Sequence, residues 1–291
     1  MRRAVVRTLQ CLALILAATW VWAGEEKDEP EGGILGTGIV GTITRLGSIY
    51  VNDQHIRFDR SLIVADSLGP AGSVADLRPG HTVAVVAQPE GADWRAAYIR
   101  QIYPVVGPVE AVRGNRIEVL GTRVVLPTGT AVPEVGTWVA VSGLWRDNRV
   151  VATRVDAVPE ALREARVSGT FLGRTAGGDV RVGGSRISGI EPRHLRPGML
   201  VRSYGQPVPG GIAANRLETR LVDVPVGVIQ VEGYFSPRRA DGLYTILGSG
   251  LVAYSDDPNM VDRSRREVRC GQSGQLDDTS TDSGVVARLQ C

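Results

Sequence analysis

The chain has three histidines, His55, His81 and His194, and they stand far apart. Histidine changes charge closest to neutral pH, so acid–base chemistry would start from these rings. None of them sits in a catalytic signature. The sequence holds no Gly-x-Ser-x-Gly elbow, no Ser-x-x-Lys, no His-Glu-x-x-His and no phosphate-binding loop. His81 and His194 flank the turns Pro79-Gly80 and Pro197-Gly198, where exposed rings are expected. A Ser-His-Asp or His-based metal site would have to be assembled by the fold from distant residues. The sequence therefore assigns no catalytic residue and calls for no cofactor.

A binding surface is easier to read. If Ile49, Val51, Ile56 and Phe58 face a core, alternation turns Tyr50, His55 and Arg57 outward. Tyrosine, histidine and arginine together can stack on a sugar or a peptide and hydrogen-bond to it. The plainer alternative is an ordinary solvent face. Trp94, Trp138 and Trp145 either extend the surface or belong to the core. Two acidic loops are weak calcium candidates: Asp256, Asp257, Asn259 and Asp262, then Asp277, Asp278 and Asp282. Calcium needs several oxygens converging on one point, and neither loop has EF-hand spacing, so solvated loops are expected.

These residues ride on a repeated unit. An apolar–x–Gly–x–apolar opening recurs as Ile39 to Ile43, Val105 to Val109, Val167 to Phe171 and Val231 to Phe235. Its glycines, 41, 107, 169 and 233, are 66, 62 and 64 residues apart. A second strand follows each opening, at Ile49-Tyr50-Val51, Ile117-Glu118-Val119, Val180-Arg181-Val182 and Tyr244-Thr245-Ile246. Turns at Leu77-Arg78-Pro79-Gly80 and Leu195-Arg196-Pro197-Gly198 lead into further strands, with a looser version at Pro133 to Gly136. Closing strands are read at Ala97 to Arg100, Ala152 to Val155, Ala214 to Leu217 and Ala287 to Leu289. Helical periodicity is confined to Pro159 to Ala165, read as a linker turn between units two and three. The expected fold is all-β: tandem five-stranded antiparallel barrels, OB-like with an SH3-like alternative. The units are placed at 36–104, 105–158, 159–222 and a divergent 223–291.

The segments 36–44, 47–52 and 56–59 resemble a family of exported bacterial repeat proteins catalogued as domain of unknown function 5666. The resemblance continues in Asp76 to Gly80, Val139 to Leu144 and Val151 to Val155, and fades after 222. It implies exported β-barrel repeats and carries over no catalytic residue.

Compartment is read from the N-terminus. Arginines at 2, 3 and 7 precede an apolar run from Cys11 to Ala23 that ends on small residues. The run is short for a bilayer span, so residues 1–23 are read as a cleaved signal peptide, with an uncleaved anchor as the alternative. Residues 24–35 form an acidic, flexible leader. Removing the signal takes three of the 33 basic residues, leaving 30 against 31 acidic ones. A near-neutral exported chain is a poor nucleic-acid ligand. Two cysteines remain, Cys270 and Cys291, expected to form a disulfide stapling a last hairpin that carries a long loop from Gln272 to Gly284. The expected protein is a non-catalytic envelope component, periplasmic or extracellular, with no transmembrane segment in the mature chain. Its barrels would bind a protein, a glycan or a small ligand. A hydrolase-type site between repeats and a structural spacer are the alternatives.

Overall fold

The computed structural model describes residues 36–291 except 70, 192, 258–260 and 277–283. The signal segment, the leader, Asn259, Asp277, Asp278 and Asp282 lie outside the described residues.

The repeated glycine makes room in each unit for a neighbouring side chain. At Gly107 an added Cβ would lie 2.8 Å from the side chain of Leu120, a fully buried residue held at φ +49° in the turn before Thr122. Only a missing side chain lets Leu120 pack so close to the strand. In barrel 1, β1 (Gly36–Leu46) pairs with β2 (Ile49–Val51), and β2 with β3 (Gln54–Arg57). β4 (Val64–Ala65) is a short addition beside the final strand. β3 runs parallel to β6 (Asp93–Ile102), which pairs with β5 (Thr82–Glu90), and β5 returns to β1. The barrel is closed in the OB-like order first, second, third, fifth, fourth, first. All five contacts but third–fifth are antiparallel.

The order repeats. Barrel 2 comprises β7 (Val105–Arg113), β8 (Arg116–Val119), β9 (Thr122–Val125), β10 (Trp138–Arg146) and β11 (Arg149–Ala157), closed by β10 on β7. Barrel 3 comprises β12 (Ala165–Arg174), β13 (Val180–Val182), β14 (Ser185–Ser188), β15 (Leu200–Val208) and β16 (Gly211–Glu218), closed by β15 on β12. Unit 4 comprises β17 (Val226–Gly233), β18 (Leu243–Thr245), β19 (Val252–Tyr254), β20 (Glu267–Gln272) and β21 (Gln275–Leu276). Its seam between first and second strands is a single bridge, Phe235–Ile246. The helix that an OB fold carries before its fourth strand is reduced in barrel 1 to one 3-10 turn, Val74–Asp76, capped by Ser73.

The units are not strung in a row. β1 pairs in parallel with β17, so units 1 and 4 share a sheet, while β7 pairs with β12 and joins barrels 2 and 3. Barrels 2 and 3 also share one apolar core, with Trp145 at the seam. Its indole N–H donates to Ser168 O at 2.7 Å, and its ring lies where a Cβ on Gly183 would be 2.0 Å away.

Barrels 1 and 3 meet on charge. Asp66, at φ +55°, places Oδ2 2.9 Å from Arg100 Nε and 2.8 Å from Arg202 Nη1, and its carbonyl accepts from Arg166 at 2.9 Å. Arg100 also pairs with Asp223 at 2.5 Å, and Arg202 with Glu218. Both guanidinium groups are about 5% exposed or less and donate to the backbone carbonyls of Leu221 and Arg220. Tyr204 donates its hydroxyl to Asp66, and burial, then the Asp66 charge, push its pKa up to about 12.

The C-terminus departs from the sequence reading. Ala287 to Leu289 is not a closing strand: it lies in helix α1 (Gly284–Leu289). Leu289 is fully buried in the core of barrel 1, and its carbonyl accepts from Gln54 and Gln230 at 3.3 and 2.6 Å. The helix caps the open end of the first barrel. The last hairpin turns tightly at Ser273-Gly274 rather than through a long loop. The Cys270–Cys291 disulfide is present, but it ties β20 to the chain end after α1.

Two stability outcomes follow from these contacts. Reducing the disulfide should cost about 2–4 kcal/mol, read from denaturant midpoints with and without reductant. Asp66→Asn should cost about 3–5 kcal/mol, because it leaves buried arginines short of their shared carboxylate. An unchanged midpoint would remove Asp66 as the hub.

Candidate functional site

The outward-facing trio is assembled as one ladder. β2 and β3 set Tyr50 directly opposite His55, and β1 sets Arg45 opposite Tyr50. The Tyr50 and His55 rings stack at 4.5 Å and 10°, and the Arg45 guanidinium lies 3.8 Å from the Tyr50 centroid. Strand neighbours therefore cover the tyrosine from both sides. Its hydroxyl makes no hydrogen bond among the described residues, so the ladder presents an edge rather than an open ring face.

Asp93, at the start of β6, locks the ladder. Its Oδ1 is 2.9 Å from His55 Nδ1, and its Oδ2 is 2.6 Å from Arg57 Nη2. The His55 hydrogen bond, with the Arg57 charge, holds the Asp93 carboxyl below its ordinary range. His55 Nε2 faces Gly47 O at 3.0 Å. Alternation alone predicted the trio; it did not predict Asp93, which is 38 residues from His55 in the chain.

The tryptophans do not extend this face. Trp94 is 1% exposed inside barrel 1, donating to Gln54 at 2.8 Å, and Trp145 is buried at the seam of barrels 2 and 3. Trp138 is half-buried, with Arg163 over its ring. Among the acidic candidates, Asp262 accepts from Ser264 N and Oγ at 2.8 and 2.6 Å, and Asp256 lies 3.9 Å from Arg238. The Asp257 N–H donates to Ser255 at 3.0 Å. The described residues bring Asp256, Asp257 and Asp262 to no common point with metal-ligand geometry.

A second constellation lies between barrels 1 and 2. His81 is 6% exposed, not a turn-surface ring, because the turn packs against barrel 2. It borders a cavity of about 290 Å³ shared with Gln101, Tyr103, Arg154 and Asp156. The Arg78 backbone N–H donates to His81 Nδ1 at 3.1 Å, and Gln101 donates to the same nitrogen at 2.9 Å. A backbone N–H can only donate, so Nδ1 is the acceptor and Nε2 carries the hydrogen, directed at Asp156 Oδ2 at 3.1 Å. Asp156 also takes a double contact from Arg154, at 2.8 and 2.5 Å. Burial raises the Asp156 pKa, but the bonds from His81 and Arg154 outweigh it and hold the carboxyl below its ordinary range. Both imidazole nitrogens are thus engaged, Nδ1 within barrel 1 and Nε2 across the joint to barrel 2. Spacing in Arg154-Val155-Asp156 places cation and carboxylate on one strand face, a signal present in the sequence.

Because the folded Asp156 carboxyl is depressed, its contribution is full above the unfolded value of about 3.9 and fades as pH falls through the folded value. Urea midpoints should fall as pH drops below about 4, and less steeply in Asp156→Asn. Identical pH profiles for the two proteins would contradict this account.

Among the described residues, no helix is long and apolar enough to cross a membrane. Neither a curated protein nor a solved structure matches the chain. Residues 106–156 match the family described as Domain of unknown function (DUF5666), a stretch that lies within the second barrel and omits only Val105 and Ala157 at its two ends.

Proposed function

We propose that this protein is a non-catalytic exported envelope component, periplasmic or extracellular. Its fused barrels form a rigid platform that binds a protein, a glycan or a small ligand. The observation that carries this reading is the Tyr50–His55–Arg57 ladder held by Asp93 on the second and third strands of an OB-like barrel. That face is where OB folds take ligands. A free tyrosine hydroxyl and an exposed guanidinium, each fixed by neighbours, offer hydrogen bonds with little ordering cost. Binding along this edge suits a carbonyl, carboxylate or sugar hydroxyl better than ring-on-ring stacking.

One observation favours a second reading, a hydrolase-type site between repeats: His81, Asp156 and Arg154 converge on one cavity. The engagement of both His81 nitrogens supports the structural role over the catalytic one.

Capture from the producing cell's envelope with the mature chain should recover a partner that Tyr50→Ala and Arg57→Ala each lose by about tenfold or more. Capture unaffected by either change would count against the ladder. Export is tested separately: the mature N-terminus should follow residue 23, and an exported chain still starting at Met1 would refute cleavage.

A further inference from the structure

A cavity of about 470 Å³ opens where barrels 2 and 3 meet unit 4, far in sequence from the Tyr50 ladder. Its floor is apolar, made by Trp145, Leu172, Leu247 and Pro237. Because the Trp145 N–H is spent on Ser168 O, its indole offers only carbon to the cavity. Such a floor, inside a cavity of this size at a junction of modules, is the ordinary setting of a small-ligand site.

The rim is cationic. Arg174, Arg181 and Arg263 stand against one carboxylate, Asp147, giving a net charge of +2 (three cations less one anion). Asp147 is tied to Arg263. Arg174 and Arg181 have no carboxylate within ion-pair distance among the described residues. Each donates one N–H to its own hairpin, Arg174 to Gly178 O at 2.9 Å and Arg181 to Gly184 O at 3.0 Å. Those bonds orient the guanidinium groups and leave their other donors open. Arg181 also sits directly opposite Arg186 across β13 and β14, a like-charge pairing that a bound anion would relieve. Asn148, on the same rim, accepts from Arg123 at 3.2 Å and keeps its amide N–H groups unpaired among the described residues.

We propose that this cavity binds an acidic saccharide, with a sugar ring on the apolar floor and its carboxylate or phosphate group on Arg174 and Arg181. Guanidinium forks match either anion with paired hydrogen bonds. Asn148 is placed for a ring hydroxyl. The proposal rests on the reading of the barrels as binding modules, but it uses a different surface.

The test is calorimetric titration of the mature chain with galacturonate oligomers and with glucose 6-phosphate, against neutral glucose and inorganic phosphate. At least one charged sugar should bind, and the neutral sugar should not. Arg174→Gln with Arg181→Gln should weaken binding about tenfold or more. Arg113→Gln with Arg116→Gln removes the same charge from another exposed hairpin and should leave binding unchanged. Thermal unfolding of both double variants checks that they fold. Which charged sugar binds decides between carboxylate and phosphate. The proposal is overturned if neither charged sugar binds, if glucose binds as well, if inorganic phosphate binds as tightly as the sugar phosphate, or if both double variants weaken binding equally. Failure here with Tyr50-dependent capture intact would remove only this site; loss of both would remove the platform.

Discussion

A single carboxylate oxygen, Asp66 Oδ2, lies between guanidinium groups from two different barrels, and the placement of those barrels depends on it. Buried ion pairs of this kind are weak evidence of net stability, because desolvation offsets much of the attraction. What they impose is geometry. Arg100 and Arg202 are satisfied only if barrels 1 and 3 meet in one register and the 219–223 segment passes between them to offer its carbonyls and Asp223. Apolar contact alone would tolerate sliding. We read the charge cluster as the element that forbids it.

The same logic explains what became of the arginine that closes each early repeat. In the first unit it is Arg100, drawn into the Asp66 cluster. In the second it is Arg154, clamped on Asp156, which also holds His81 of barrel 1. In the third it is Arg216, which pairs with Glu218 and lies 3.7 Å from the centre of the Tyr204 ring. A residue repeated by descent or by design of the unit has been given three sets of partners, all of them at or beside joints between modules. Only Arg100 is buried outright; Arg154 is part-buried and Arg216 stays half exposed, where ion pairs contribute little.

Much of the fold was legible because it is local. Strand alternation and glycine turns act within ten residues, so the second strands, the Pro-Gly turns and the outward direction of Tyr50, His55 and Arg57 could be read directly. Contacts across 75 residues could not, which is why His81 read as a surface ring and proved to be buried. The parallel pairing of β1 with β17 leaves no periodic trace, so a row of modules was expected where the ends are joined. Ala287 to Leu289 went wrong for a different reason. Six residues with β-branched Val285 and Val286 fit a strand or a short helix equally well. Only the vacancy at the end of barrel 1, which Leu289 fills, decides between them.

That last contact bears on when the protein can fold. Barrel 1 is made before the other three units, yet its end is plugged by residues 284–289, and its opening strand leans on one made nearly two hundred residues later. A nascent chain cannot complete barrel 1 until residues 284–289 have arrived. Such late closure keeps the first barrel pliable throughout synthesis, and the covalent clasp between Cys270 and Cys291 sets only once the segment that carries Leu289 has docked.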